Sequence, residues 1–406
     1  MLRPILSTLV VLVLSSQTAV AQKKSVREMA PSRVSTTSAP LAKKECERFA
    51  MAFEEAIRTR DWKSAESEID WMALYTKATN GIPAPDKTRA SFRDTADTYF
   101  RGSGGIVSGL AQTVASGGTF RFLRIVDSGS STRVVFRMTY QPGDVPDYVS
   151  LVLEPESDGS AVATDIENAS EGDLASVRLR RYFLGLSAGA TRMLEDKVQG
   201  VDKARVHWQK ELESADEAFR DGQNKKALEI LEALPDDIKG DHAVVLARLN
   251  AARAMSGDAF KAVLARVRTN SKNDIAVERL ALDYFLEKKE FAEARRSVLA
   301  LNETVGGDAY LDWMTAVIED EAGEGDAAIA ACRRSIARDD TLQDPWWTML
   351  SIHLRESRYS ETLSVLEGMQ SRFEIDWRVI EHAPEYQSFH ASEFGKAWKT
   401  RVATKK

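Results

Sequence analysis

Asp165 and Glu167 are the pair whose types and spacing come nearest to a reactive site. Two positions apart on a strand, their side chains share a face. Two adjacent carboxylates can divide acid and base roles if burial keeps a proton on one of them. Ala161 and Ala163 fall on the same face by simple alternation, so the four residues read as the wall of a possible small pocket or as the wet side of a sheet. No histidine lies between residues 43 and 190 to work with them. The run Gly102-Ser103-Gly104-Gly105 lacks the Lys and Ser/Thr ending of a phosphate-cradling loop and follows no strand. His207, His242, His353, His382 and His390 are scattered, with no two spaced as metal ligands on one helical turn. Cys46 and Cys332 are too few for a cysteine zinc site or a disulfide framework and are expected as buried free thiols. No catalytic residue, metal ligand or cofactor site is assigned.

The elements that would hold these residues come from a chain of 406 residues, long enough for two or three domains. Hydrophobic residues make up 43% and charged residues 29%, a globular composition. The 55 basic against 61 acidic side chains give a net charge of −6, which argues against a nucleic-acid binder.

Arg3, the apolar stretch Ile5–Leu14 and the small-x-small pattern Ala19-Val20-Ala21 read as a signal peptide over 1–21, cleaved near Ala21. The expected location is therefore outside the cytoplasm of a bacterium, periplasmic or extracellular. The apolar stretch is too short to span a bilayer, and no later segment is long enough, so the protein is not expected to be transmembrane. Residues 22–42, rich in Lys, Arg, Ser, Thr and Pro, read as a disordered linker.

From 43 to 190 the pattern is α+β. Cys46, Phe49, Ala50, Phe53 and Ile57 form one face of a helix. A second helix is expected over Trp62–Lys77, and a third over Arg89–Val114, loosened by its glycines. The period then becomes two. Phe120, Phe122, Arg124 and Val126 are expected on one face. Val134, Phe136, Met138 and Tyr140 follow, then Val149, Leu151 and Leu153, then Ala161 to Glu167. Turn residues separate them, so the segment reads as a four-stranded antiparallel sheet. A closing helix over Asp173–Leu186 carries Arg178, Arg180 and Arg181, read as a solvated edge balanced by Glu171 and Asp173. Gly189 to Asp202 reads as a joint. The element order resembles the cone-shaped domains of the nuclear-transport-factor-two-like superfamily, many of which bind a ligand or dimerise.

From 203 to 370 the chain repeats. Ala227 opens the phrase Ala-Leu-Glu-Ile-Leu-Glu, and similar phrases open at Ala262, Ala294, Ala328 and Thr362, spaced by 35, 32, 34 and 34. The small residue marks where a second helix crosses a first, and Leu231, Val298, Cys332 and Leu366 fill the groove one turn later. Trp347-x-x-Leu350-Ser351-x-x-Leu354 with Tyr359 resembles the opening of tetratricopeptide repeats (TPR), and the period agrees. About five such units are expected. The second departs most, with Asn250 and Arg266 where a small residue and an aromatic usually stand. Residues 371–400 read as capping helices.

The resemblance implies an all-α helical solenoid after the α+β domain, with a groove that binds a protein or peptide partner. Carried across residue by residue, the groove positions are Asp216, Phe219, Glu278, Phe285, Trp313, Asp320, Thr348 and Arg355. Aromatics at helical spacing are more often core, so Phe219, Phe285 and Trp313 are read first as core between repeats. The preferred expectation is a non-enzymatic adaptor or scaffold. The alternative is a small-ligand-binding or weakly enzymatic α+β domain with the repeats as its docking arm, distinguished by whether Phe120, Phe122, Phe136 and Met138 fill the sheet's interior.

Overall fold

A computed structural model describes residues 32–34, 41–127, 131–191, 193–270, 274–375, 380 and 383–403. The expected signal peptide, most of the 22–42 linker, His382 and part of the expected cap lie outside the described residues. The chain divides into two compact units, Met1–Val277 and Glu278–Lys406.

The first unit opens with α1 (Lys43–Arg58), which buries Cys46, Phe49, Ala50, Phe53 and Ile57 along one stripe. The helix expected over Trp62–Lys77 is two, α2 (Trp62–Ser67) and α3 (Trp71–Thr79). The break is imposed from elsewhere in the fold. Asp70 N–H donates to the Ala163 carbonyl at 2.7 Å and Ala163 N–H donates to that of Glu68 at 3.0 Å, so the chain is extended there. The Asp70 carboxylate caps α3 through Ala73 N–H, at 2.9 Å, and also accepts from Ser32 Oγ and Arg33 N–H at 2.8 and 2.6 Å. Residues 32–34 of the linker stretch are thereby seated on the domain.

The third expected helix is likewise broken, into α4 (Asp86–Phe100) and α5 (Ile106–Ala115) around a single tight turn at Gly102–Gly104. At Gly105 any Cβ would overlap the backbone of Phe100 and Arg101, so the return is possible only for glycine. The first amide of the turn, Gly102 N–H, is taken by the Glu66 carboxylate at 2.7 Å.

The sheet has five strands rather than four: β1 (Thr119–Asp127), β2 (Thr132–Thr139), β3 (Asp147–Pro155), β4 (Ala161–Asn168) and β5 (Asp173–Leu174). They form an antiparallel meander in sequence order. Asp173 thus belongs to the last strand, and α6 runs over Ala175–Ala190. Two bulges reset the alternation. In β1 the ladder steps from Phe122 to Arg124, so Ile125, and not Arg124 or Val126, joins Phe120 and Phe122 against the core. In β4 it steps from Ala163 to Asp165 across Thr164. The rings of Phe53, Phe120 and Phe136 meet with centroids 4.7 to 6.1 Å apart, and Met138 and the half-buried Phe122 close round them. The interior against the helices is filled by these side chains, each contributing roughly 1.5–3 kcal/mol by burial.

The joint after α6 is not open. Leu194 and Val198 are buried in the same core, and Arg180 pairs with Asp202 at 2.6 Å. Helices follow throughout: α7 (Gly200–His207), α8 (Gln209–Arg220), α9 (Asn224–Ala233), α10 (Asp236–Lys239), α11 (His242–Met255) and α12 (Gly257–Asn270). Helix α8 packs on α9, and α11 on α9 and α12. Ala227 and Leu231 are buried as expected, but Ala262 is exposed. Val263 and Val267 take the inward positions instead, which shifts the second unit's register by one residue. Arg266 is held by Glu232 at 2.9 Å, with Arg248 on the same carboxylate, so an ion pair stands where an aromatic was expected.

The division falls within α13 (Ile275–Glu287). The second unit continues with α14 (Phe291–Thr304), α15 (Ala309–Glu321), α16 (Gly325–Arg338), α17 (Asp344–Arg355), α18 (Tyr359–Arg372), α19 (Gln387–Ala391) and α20 (Glu393–Ala403). Each helix from α14 to α18 packs on the next. Ala294, Ala328 and Thr362 are fully buried, and so are Val298, Cys332 and Leu366, each four residues further on. No helix among the described residues is long and apolar enough to cross a membrane.

Candidate functional site

Asp165 and Glu167 do share a face of β4, but the bulge at Thr164 turns Ala161 and Ala163 to the opposite side, into the core. The pocket wall of four residues is therefore not formed. Asp165 is only 1% exposed. Its carboxylate accepts from Ile166 N–H and Ser176 N–H, both at 3.0 Å, and from Ser176 Oγ. Ser176 lies in the first turn of α6, where amides are otherwise orphaned, so Asp165 serves as a cap reaching across from the sheet. Burial still pushes its pKa up. Glu167 is bound by Arg133 of β2 at 2.5 Å, and burial pushes it up too.

The eight residues expected to line a groove fall in distinct places. On α8, Asp216 is half-buried beside Arg220 at 3.9 Å, with its pKa raised by burial, and Phe219 is half-buried. On α13, Glu278 and Phe285 are buried. The other four are joined in pairs. Trp313 on α15 is buried, lies edge-on to Tyr310 at 4.9 Å, and donates its indole N–H to Thr348 Oγ1 of α17 at 2.8 Å. Asp320, two turns further along α15, is bound by Arg355 of α17. Both links join residues 35 apart, so α15 and α17 present equivalent faces in a fixed register. Asp312, buried on α15, collects Arg338 and Asn302 from the flanking helices at 2.5 and 3.1 Å.

Sequence reasoning missed one constellation entirely. His242, at the start of α11, places Nε2 2.7 Å from Asp274 and Nδ1 3.9 Å from Asp173. Arg181 touches Asp173 and Asp241 at 2.6 and 3.2 Å, and Arg205 touches Asp241 at 2.7 Å. Arg178 binds Glu171. The arginines of α6 are thus half-buried partners, and not a solvated edge, although Glu171 and Asp173 do face Arg178 and Arg181. Burial pushes Asp241 up, but the Arg205 and Arg181 charges outweigh it and hold its carboxyl below the usual range. No local spacing announces this cluster, because its members come from β5, α6, α7, the start of α11 and the residue just ahead of α13. Among the described residues, no three His, Cys, Asp or Glu side chains are arranged to hold a metal ion. Cys46 and Cys332 are both buried and unpaired.

No family model matches the chain, and no curated protein matches it. Among solved structures, a chain titled as a mutant of MamA is similar over 41% of this chain and 98% of its own, at 14% identity and a TM-score of 0.31, which is too slight a likeness to assign a fold.

Proposed function

We propose that this protein is an exported, non-enzymatic interaction scaffold of bacteria, whose C-terminal helices are tetratricopeptide-like repeats that bind a partner protein or peptide. The observation that carries the reading is the pair of links Trp313–Thr348 and Asp320–Arg355 at one common offset. They fix equivalent first helices side by side, as repeats of about 34 residues require for a continuous surface. Burial of Ala294, Ala328 and Thr362 at that period supports it. On the α+β side, the filled core and the structural engagement of Asp165 and Glu167 count against a ligand pocket at those residues.

The test is a crosslinking pull-down from the native cell envelope, comparing the wild-type chain with the swapped pair Asp320→Arg with Arg355→Asp. The swap keeps the mutual ion pair and the net charge but exchanges the places of the two charges on the surface. Loss of a discrete wild-type partner from the swapped protein supports the reading. Absence of any saturable protein partner, with binding of a small molecule by the α+β domain, would replace it. Export is tested separately by a periplasm-active reporter fused after Lys406, active with residues 1–21 and silent without them.

A further inference from the structure

The turn between β4 and α6, residues 168–174, is pressed directly against the His242 ring. Gly172 has φ +69°, and a Cβ there would overlap the imidazole, so the turn and the ring fit without slack. Both ring nitrogens face carboxylates: Nε2 faces Asp274, ahead of α13, and Nδ1 faces Asp173 of β5. A neutral imidazole has one N–H. If that proton sits on Nε2 for Asp274, the Nδ1 lone pair points at the Asp173 carboxylate, with no hydrogen bond to relieve it. An imidazolium keeps the Asp274 hydrogen bond and turns the 3.9 Å approach of Nδ1 to Asp173 from repulsive to attractive.

We infer that His242 is a proton-operated clasp, which when doubly protonated ties the 168–174 turn of the sheet to the start of α11 and to Asp274, and when neutral loosens that turn. The charged groups around the ring are mixed. Glu167 from β4, Asp173 from β5, Asp241 at its own helix cap and Asp274 favour the proton; Arg181 from α6 and Arg205 from α7 oppose it. On α9, Glu232 is engaged by Arg248, six residues further along α11. Burial pulls the His242 pKa down, but the Asp274 hydrogen bond and the Asp274 and Asp173 charges outweigh it and hold the pKa above the ordinary histidine value. The bonds of the turn itself, Ser170 N–H to Asp147 at 2.9 Å and Arg178 to Glu171, do not involve the ring, so loosening is local.

The experiment uses the full chain. Amide exchange at residues 168–174 is followed from about pH 5.5 to about pH 8.5, with the intrinsic rate divided out, alongside the His242 ring titration by proton NMR. Protection of the turn should fall several-fold through the ring's titration while amides of α1 stay level. Asp274→Asn should move the midpoint to lower pH, and His242→Gln should abolish the step. A wild-type turn whose protection does not change through the ring titration overturns the inference, as does an equal step in His242→Gln. Should His242→Gln fail to fold, an unmoved midpoint in Asp274→Asn overturns it instead.

Discussion

Trp313 donates its indole N–H to Thr348 Oγ1 at 2.8 Å, so an aromatic of one helical pair is anchored on a hydroxyl 35 residues ahead in the next. The bond fixes the ring from its polar end while Tyr310 and the helix interior hold its apolar body. Trp313→Ala is expected to cost about 3–5 kcal/mol of stability in the second unit. Thr348→Val, which orphans the indole N–H, should cost about 1–3 kcal/mol. Denaturant unfolding followed by circular dichroism measures both. An unchanged midpoint in Trp313→Ala would mean that the ring is not part of the core.

Two histidines should give the two units opposite responses to acid. His353 on α17 is buried, its Nδ1 lacks a hydrogen bond, and burial pushes its pKa below the usual value, with the Arg358 charge adding to this. Between the folded and unfolded pKa values the unfolded chain binds the proton more readily. His353 therefore makes the second unit lose stability as pH falls below about 6.5, the value for an exposed histidine. For His242 the folded pKa is raised, so its contribution is fully present below the unfolded value and is lost as pH rises through the folded one. Stability measured against pH for His353→Gln should lack the acid loss seen in the wild type. If the two curves are parallel, the ring is not buried neutral.

Gly172→Ala combines a left-handed backbone with a clash against His242, and should destabilise the first unit by about 2–4 kcal/mol. The turn cannot retreat freely, because Ser170 and Glu171, immediately ahead of Gly172, are held by Asp147 and Arg178. The same substitution should displace the His242 ring and return its NMR titration toward the ordinary histidine value. A variant with native stability and an unshifted titration would show that the turn has room to move.

Asp165→Ala should cost about 1–3 kcal/mol, since it strands the amides of Ile166 and Ser176 in a buried site. Asp165→Asn, which keeps an acceptor oxygen, should cost less. Equal losses in the two variants would place the contribution in the charge rather than in the capping bonds.

How far the sequence reaches can be seen residue by residue. The stripe of α1 and the four longer strands are legible because their periods are local and their inward residues are mostly apolar. The bulges at Leu123 and Thr164 are not, since a strand reads the same with or without an extra residue until its partner sets the ladder. The split of Trp62–Lys77 has its cause at Ala163, about a hundred positions away. Among the repeats, Ala294, Ala328 and Thr362 stand out because a small residue flanked by bulky ones admits few registers. Ala262 misled because the Val263–Val267 pair makes an equally good inward face one step along. The repeat period sets Trp313 against Thr348 and Asp320 against Arg355 at one spacing, but not the hydrogen bond and ion pair that join them. His242 was invisible as a site, because the carboxylates that face it come from Asp173 and Asp274.

The central claim, that the surface built by α15 and α17 receives a partner protein, is tested most directly by site-specific photo-crosslinking in living cells. A photoreactive residue is placed at Ser351, exposed on α17, and as a control at Leu299, exposed on α14. A discrete protein adduct from position 351, reduced by the Asp320→Arg with Arg355→Asp swap and missing from position 299, is the predicted result. No adduct from 351, or the same adduct from both positions, would contradict it.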